Sequence, residues 1–302
     1  MSIKDDILRL KEERNAIIMA HNYQRPEVQD IADFLGDSFA LAQKARETDA
    51  DVIIFCGVDF MAESAAILNP NKTVVHANRE SRCPMAGMVD LRELREMKAK
   101  HPDAKVVSYV NTTAETKAES DVCCTSSNAV RIVEKIDADE VIFVPDRHLG
   151  EYIRSRVPDK KVILWPGYCH AHERITPEII RELKEAHPNA EVMVHPECPM
   201  ETIELADHVF STGGMVNYAG ESDGEEFIVG TEEGMAYRLK KLYPEKTFYP
   251  VEQSICHNMK RIHLEDVLRA LETLEPVVTV PEDIAERARK PLELMLELGR
   301  SD

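Results

Sequence analysis

The sequence contains few basic residues, few glycines and few aromatic side chains. Lys and Arg number 37 against 55 Asp and Glu, so the formal net charge is −18 at pH 7. No Lys- or Arg-rich run offsets this excess, and we therefore expect neither nucleic acid nor a membrane as a partner. Gly and Pro account for only 12 and 16 of 302 residues, which excludes collagen-like and low-complexity chains. A globular fold is the remaining class.

Long hydrophobic segments are also missing. The longest apolar stretch runs from Val52 to Val58, far short of the roughly 20 residues that cross a bilayer. The opening residues, MSIKDDILRLKEER, carry no apolar core of a secretory signal. We therefore expect a cytoplasmic protein. In that setting the seven cysteines are interpreted as packed side chains, metal ligands or reactive groups before disulfides.

A faint internal repeat of about 87 residues runs through the chain. Three features recur in the same order, each 86 to 88 residues after its previous copy. They are the residue that ends an apolar run (His21, Tyr109, His195), a hydroxyl residue after it (Ser38, Ser126, Thr212) and a loop cysteine (Cys83, Cys169, Cys256). This pattern predicts a tandem triplication.

Within each copy, short apolar runs alternate with longer amphipathic stretches. In the first copy, AIIMA (16–20), DVIIF (51–55) and TVV (73–75) indicate buried strands, and the stretches 38–47 and 59–68 indicate helices. Such alternation is typical of parallel sheets with helices on both faces. We predict an α/β protein built from three similar αβα sandwich units.

The repeat also divides the chain. We expect a first unit at 1–88 with an N-terminal helix at 2–14, a second at 89–174 and a third at 175–262. The remaining residues, 263–302, are expected to form C-terminal helices, one at 281–298, that pack back on the first unit.

The recurring polar residues fall where a parallel sheet binds ligands, beyond the carboxyl ends of its strands. A single Ser or Thr at the start of a helix is explained by capping. Three at matched positions favour a shared site, in which hydroxyls and free helix N–H groups bind an anion such as phosphate or carboxylate.

The three loop cysteines are predicted to converge if the copies are related by a pseudo-threefold axis. Three thiolates leave one position of a metal site open, and no C-x-x-C pair supplies a fourth. A [4Fe–4S] cluster with one open iron is favoured, with zinc held by three Cys and a water as the alternative. Cys56 lies in an apolar run, and Cys123 and Cys124 lack a repeat partner, so these thiols are interpreted as packing residues.

Two further residues are candidates for the chemistry. Glu197, two residues after His195, is a candidate general base, provided that its surroundings raise its pKa toward neutrality. His172, three residues after Cys169, either orients substrate or supports a neighbouring group.

The motifs as a whole resemble those of the quinolinate synthase family across nearly the full chain. They are MAHNYQ (19–24), GDSFALA (36–42), CGVDFMAESAAIL (56–68), YVNTTAETKAESDVCCTSSNA (109–129), PGYCHAHE (166–173), HPEC (195–198), STGGM (211–215) and the single downstream Cys256. The resemblance implies three α/β domains with pseudo-threefold symmetry around a [4Fe–4S] cluster. It also implies condensation of iminoaspartate with dihydroxyacetone phosphate to quinolinate, in de novo NAD biosynthesis.

The resemblance further implies roles for individual residues. Cys83, Cys169 and Cys256 would ligate the cluster, while Tyr23, Tyr109, Glu197, His195 and His21 would be catalytic. The residues that would line the substrate site are His21, Ser38, Tyr109, Val110, Asn111, Ser126, His172, His195, Pro196, Glu197 and Thr212. Functional coupling to an aspartate-oxidising enzyme is expected. The competing hypotheses are a cluster-based redox or iron sensor and another lyase of the open-iron type.

Overall fold

Three four-stranded parallel sheets, each flanked by helices, make up the chain in the computed structural model, which describes residues 2–299. In each sheet the strands lie in the order second, first, third, fourth along the chain. The prediction of an α/β fold with three similar αβα units is therefore confirmed.

The three units contain the same sequence of elements. The first has α1 (Ile3–Glu13), β1 (Ala16–His21), α2 (Pro26–Gln29), β2 (Phe34–Gly36), α3 (Ser38–Glu47), β3 (Val52–Cys56), α4 (Asp59–Leu68) and β4 (Thr73–His76). The second has α5 (Leu91–Lys100), β5 (Lys105–Tyr109), α6 (Ala114–Ala118), β6 (Val122–Cys124), α7 (Ala129–Lys135), β7 (Glu140–Val144), α8 (Arg147–Arg156) and β8 (Lys161–Leu164). The third has α9 (Pro177–Ala186), β9 (Glu191–Val194), α10 (Met200–Ile203), β10 (His208–Val209), α11 (Thr212–Glu221), β11 (Glu226–Gly230), α12 (Gly234–Leu242) and β12 (Thr247–Pro250).

Strand register reproduces the repeat. The first strand of each unit pairs with the second strand on one side and the third on the other. Equivalent triplets are Met19 with Phe34 and Phe55, Val107 with Val122 and Phe143, and Met193 with His208 and Val229. Each residue of the second triplet lies 88 residues after its counterpart in the first, and each residue of the third lies 86 residues after its counterpart in the second. The spacing found in the sequence therefore describes structurally equivalent positions.

Burial explains why the central strands form. All five residues of β3, VIIFC, are buried, because helices cover both faces of this parallel sheet. On one face lies a cluster that includes Ile7 of α1 and Ile54 of β3. On the other face, Phe55 belongs to a large core that continues into the second and third units. The three units thus share much of their hydrophobic core.

Two helices follow the third unit. α13 (Leu264–Thr273) contacts α1 and β3 of the first unit, whereas α14 (Glu282–Leu298) contacts α4 of the first unit and α6, α7 and β6 of the second. Residues 300–302 of the expected C-terminal segment lie outside the described residues. Within residues 2–299, every helix is too short or too polar to cross a membrane.

Replacing Leu292 of α14 with alanine is expected to lower the free energy of unfolding by about 2–5 kcal/mol, because the side chain is fully buried between the first two units. Chemical denaturation followed by circular dichroism measures the loss. The neighbouring Glu293→Ala is the matched control, since Glu293 is exposed and should change stability by no more than about 0.5 kcal/mol. Equal effects of the two substitutions would contradict the bridging role of α14.

Candidate active site

The carboxyl ends of the first strands of the three units open into one internal cavity. His21 is the last residue of β1, Tyr109 the last of β5, and His195 follows β9 directly. The predicted site residues that line this cavity are His21, Tyr23, Ser38, Tyr109, Asn111, Ser126, His172, His195, Glu197, Thr212, Cys83, Cys169 and Cys256. The three repeats therefore bring residues from distant parts of the sequence into one site.

Two of the predicted lining residues lie elsewhere. Val110 is buried in the large hydrophobic core beside Leu292. Pro196 faces a neighbouring open cavity of about 940 Å³, which shares Ser126 with the inner cavity. The outer cavity also contains Arg156 and Arg238, so a positively charged vestibule adjoins the site.

The hydroxyl residues at the helix starts are not the helix caps. Ser38 and Thr212 are the first residues of α3 and α11, and the side chains that cap these helices are Asp37 and Ser211. Ser126 lies in the turn before α7. Because capping is done by the preceding residues, the hydroxyls of Ser38 and Thr212 are not used as caps and line the cavity. Oγ1 of Thr212 accepts a hydrogen bond from Nδ2 of Asn22 at 3.0 Å, which leaves its O–H to donate.

The two strand-end histidines are held in the same tautomer. Nδ1 of His21 accepts the backbone N–H of Tyr23 at 3.2 Å, and Nδ1 of His195 accepts that of Glu197 at 3.3 Å. Burial lowers the pKa of each imidazole to about 3, so both rings are neutral at pH 7. A neutral ring that accepts at Nδ1 carries its proton on Nε2. Nε2 of His195 lies 3.1 Å from the Ser126 hydroxyl.

His172 and Glu197 form a buried pair. Nδ1 of His172 lies 2.7 Å from Oε2 of Glu197 and 3.2 Å from Sγ of Cys169. On the other side of the ring, Nε2 is 2.8 Å from the hydroxyl of Thr231, which in turn lies 2.6 Å from the Tyr23 hydroxyl. A continuous chain of hydrogen bonds therefore connects the Tyr23 phenol to the Glu197 carboxylate.

The expectation that the pKa of Glu197 is raised is wrong. Burial alone would raise it, but the His172 ring, His195 and a hydrogen bond with Tyr109 outweigh burial and lower the pKa to about 2. Glu197 is thus an ionised carboxylate at neutral pH. Its Oε1 atom is buried and has no hydrogen-bonding partner among the described residues.

The two tyrosines of the cavity remain protonated. Burial first, and then the Glu197 carboxylate, raise the pKa of both Tyr23 and Tyr109 well above the usual value. Both phenols are therefore proton donors at neutral pH. Oδ1 of Asn111 is a second buried oxygen without a partner among the described residues. Together with Oε1 of Glu197 it indicates a site that is completed by a bound molecule.

The three loop cysteines converge on this cavity as reduced, half-buried thiols. Burial raises the pKa of all three, that of Cys256 to about 11. Cys256 raises the pKa of Cys83 and of Cys169 further, and Cys83 also raises that of Cys169, so the thiols lie close enough to repel one another as thiolates. A cation bound between them would relieve this repulsion, which fits a metal site.

One group of possible metal ligands is compact. Among the described residues, the ligand atoms of Cys169, His172 and Glu197 all lie within 4.8 Å of one another. One of the three loop thiols therefore has two further donor atoms beside it.

The remaining cysteines are buried in hydrophobic surroundings. Cys56, Cys123 and Cys124 lie fully inside the core, and Cys198 is buried with its thiol 3.5 Å from the carbonyl oxygen of Gly230. This is the packing that the sequence predicted for Cys56, Cys123 and Cys124.

Sequence reasoning missed two residues at the site, Thr231 and Glu232. Thr231 connects Tyr23 to His172, but its equivalents in the repeat are Gly57 and Pro145, so no pattern marked it. Glu232 also lines the cavity, and the Lys260 ammonium lies 3.1 Å from its carboxylate. Glu232 had a signal in the sequence, because another acidic residue, Asp146, precedes it by 86 positions.

The chain is similar to known proteins over nearly its whole length. The sequence model of a family described as "Quinolinate synthetase A protein" matches residues 5–297. A protein of Methanoregula boonei named "Quinolinate synthase" is 54% identical over 297 residues, 98% of each chain. Proteins of the same name from Geobacter sp. strain M21 and Thermodesulfovibrio yellowstonii are each 53% identical, covering 99% and 97% of this chain and 98% and 97% of their own.

Proposed function

The chain belongs to the quinolinate synthase family, and on that premise we propose that it is an enzyme that condenses iminoaspartate with dihydroxyacetone phosphate to form quinolinate, with loss of phosphate and water. Quinolinate is a precursor of NAD, so the proposed role is in NAD biosynthesis. The observation that carries the proposal is the convergence of three thiols and an ionised Glu197 on one cavity.

Cys83, Cys169 and Cys256 are proposed to hold a [4Fe–4S] cluster, one thiolate from each unit. Their convergence on one cavity and their mutual repulsion as thiolates support this assignment. When bound, a cluster with one open iron supplies a Lewis acid that polarises a substrate oxygen.

Substrate binding is assigned to hydrogen-bond donors, because the carboxylates of iminoaspartate and the phosphate of the triose are anions. Ser38 and Thr212 present hydroxyls at the starts of α3 and α11. The Asp37 carboxyl and the Ser211 hydroxyl accept several of the N–H groups at these helix starts, so the side-chain hydroxyls are the donors assigned to substrate. The neutral imidazoles of His21 and His195 add their Nε2–H groups. In this way the cavity binds anions without placing a Lys or Arg beside the reacting atoms.

Proton transfer is assigned to Tyr23, Tyr109 and Glu197. Oε1 of Glu197 has no hydrogen-bonding partner among the described residues, since Oε2 is held by His172, and is proposed to accept a hydrogen bond and then a proton from substrate. The low pKa of this carboxyl makes it a weaker base than the sequence predicted, so the transfer depends on its position against the substrate. The protonated phenols can donate a proton to a leaving hydroxyl. The chain through Thr231 and His172 offers a path for returning the proton to Tyr23.

An anaerobic assay tests the proposal. Protein purified without oxygen is expected to be brown, to contain about four iron and four sulfide per chain, and to form quinolinate from iminoaspartate and dihydroxyacetone phosphate. Colourless protein with stoichiometric zinc would contradict the cluster. Iron-loaded protein without quinolinate formation would contradict the reaction and support a sensor.

A further inference from the structure

An acidic residue follows the third strand of each unit. Asp59 comes three residues after β3 ends, and Asp146 and Glu232 come two residues after β7 and β11. They are 87 and 86 residues apart, and each precedes the loop cysteine of its own unit by 23 or 24 residues. These acids are therefore part of the same repeat as the cysteines.

In the first and third units the carboxylate holds the cysteine backbone. The N–H of Cys83 donates to Oδ1 of Asp59 at 2.9 Å, and the N–H of Cys256 donates to Oε1 of Glu232 at 3.1 Å. The same contact is made in both units although the acidic side chains, Asp and Glu, differ in length. The acceptor is thus placed by the fold at the cysteine N–H in each case.

The second unit has the corresponding pair, Asp146 and Cys169. Burial raises the pKa of the Asp146 carboxyl, and the Cys169 N–H is among the backbone donors that lower it. Oδ1 of Asp146 caps α8 at the N–H of Leu149, and Oδ2 forms no direct hydrogen bond. The carboxyl group therefore lies beside the cysteine backbone here as well, with the looser contact of the three.

A second hydrogen bond fixes each loop two residues before its cysteine. The donor is the backbone N–H of the acid itself in the first unit, and of the next residue in the other two. The pairs are Asp59 N with Ser81 O at 2.9 Å, Arg147 N with Gly167 O at 2.8 Å, and Glu233 N with Ser254 O at 3.0 Å. The first and third cysteine loops are thereby attached by two hydrogen bonds to the start of the helix that follows the third strand of their unit, and the second loop by one.

The loops are also tied to one another. The Ser81 hydroxyl donates to the carbonyl of Asn258 at 2.8 Å, which joins the first loop to the third. The Ser254 hydroxyl donates to the carbonyl of Ala171 at 3.2 Å, which joins the third loop to the second. A displacement of one loop would therefore be transmitted to the others.

We propose that Asp59, Asp146 and Glu232 form a threefold carboxylate clamp that positions the three cysteine loops for a metal cluster. The inference rests on the proposed cluster.

Substitution at Glu232 tests the hydrogen bond to the Cys256 N–H. Glu232→Ala removes the acceptor and is expected to release iron to a chelator at least about fivefold faster than the wild type. Glu232→Gln keeps an oxygen acceptor for this N–H and should release iron more slowly than Glu232→Ala, although its amide nitrogen no longer accepts from the Gly234 N–H and Lys260. The matched control is Glu233→Ala, which removes a neighbouring, half-exposed charge and keeps the backbone hydrogen bond.

Asp59→Ala and Asp59→Asn provide the same comparison in the first unit. They test the proposal if a Glu232 variant fails to fold. Iron and sulfide content and chelator kinetics are the measurements, neither of which depends on turnover. Alanine variants that retain iron like the wild type would overturn the clamp, and so would amide variants that lose it as fast as alanine variants. Wild-type protein without iron would instead overturn the cluster itself.

Discussion

Replacing Cys169 with alanine is expected to abolish both cluster binding and quinolinate formation. The thiol lies in the cavity, interacts with the other two loop thiols, and is 3.2 Å from the His172 ring. With two thiolates left, a cubane loses the third anchor that connects the units. Iron and sulfide should fall from about four of each per chain to a small residual amount.

The effect should be the same at Cys83 and Cys256, because the three thiols occupy equivalent places in the repeat. Cys56→Ala is the matched control, since that thiol is buried in β3 away from the cavity. It should keep full iron content at a modest cost in stability. Circular dichroism verifies that each variant is folded. A Cys169→Ala protein with a full complement of iron and sulfide would contradict the assignment of this thiol as a ligand.

The repeat is what made the site predictable from sequence. In each unit a buried apolar run forms the first strand, and a polar residue ends that strand or follows it directly. Once His21, Tyr109 and His195 were recognised as copies, their convergence followed from the parallel topology. The same argument placed the three cysteines around one cavity.

The electrostatics of the site could not be predicted in this way. The pKa of Glu197 depends on His172, which belongs to another unit and is 25 positions away in sequence. Spacing within the repeat says nothing about which ring nitrogen faces which carboxylate. Thr231 was missed for a related reason, since it has no hydroxyl counterpart in the other copies.

The exact residue at which a helix begins was also not predictable from the sequence. A hydroxyl at the start of a helix was open to interpretation as a cap, yet the caps are the residues just before, Asp37 and Ser211. A shift of one position changes a side chain from a structural cap into one that is free for the cavity. Sequence patterns locate helix starts less finely than that.

Changing Glu197 to glutamine is expected to reduce quinolinate formation by about 100-fold or more, within the range that general base catalysis contributes. Glutamine has nearly the same shape, and its amide oxygen can still accept the hydrogen bond from Nδ1 of His172. It cannot accept a proton from substrate, however, and it removes the ionised carboxylate that keeps the pKa of Tyr23 and Tyr109 high.

Iron content distinguishes this loss from damage to the metal site. The Glu197→Gln enzyme should keep its iron and sulfide, because the residue is not one of the three proposed thiolate ligands. Glu201→Gln, on the exposed side of the nearby α10, is the control and should retain wild-type turnover. Unchanged turnover in Glu197→Gln would remove the proposed base. Loss of iron in that variant would show that Glu197 acts on the metal, as its position within 4.8 Å of Cys169 and His172 allows.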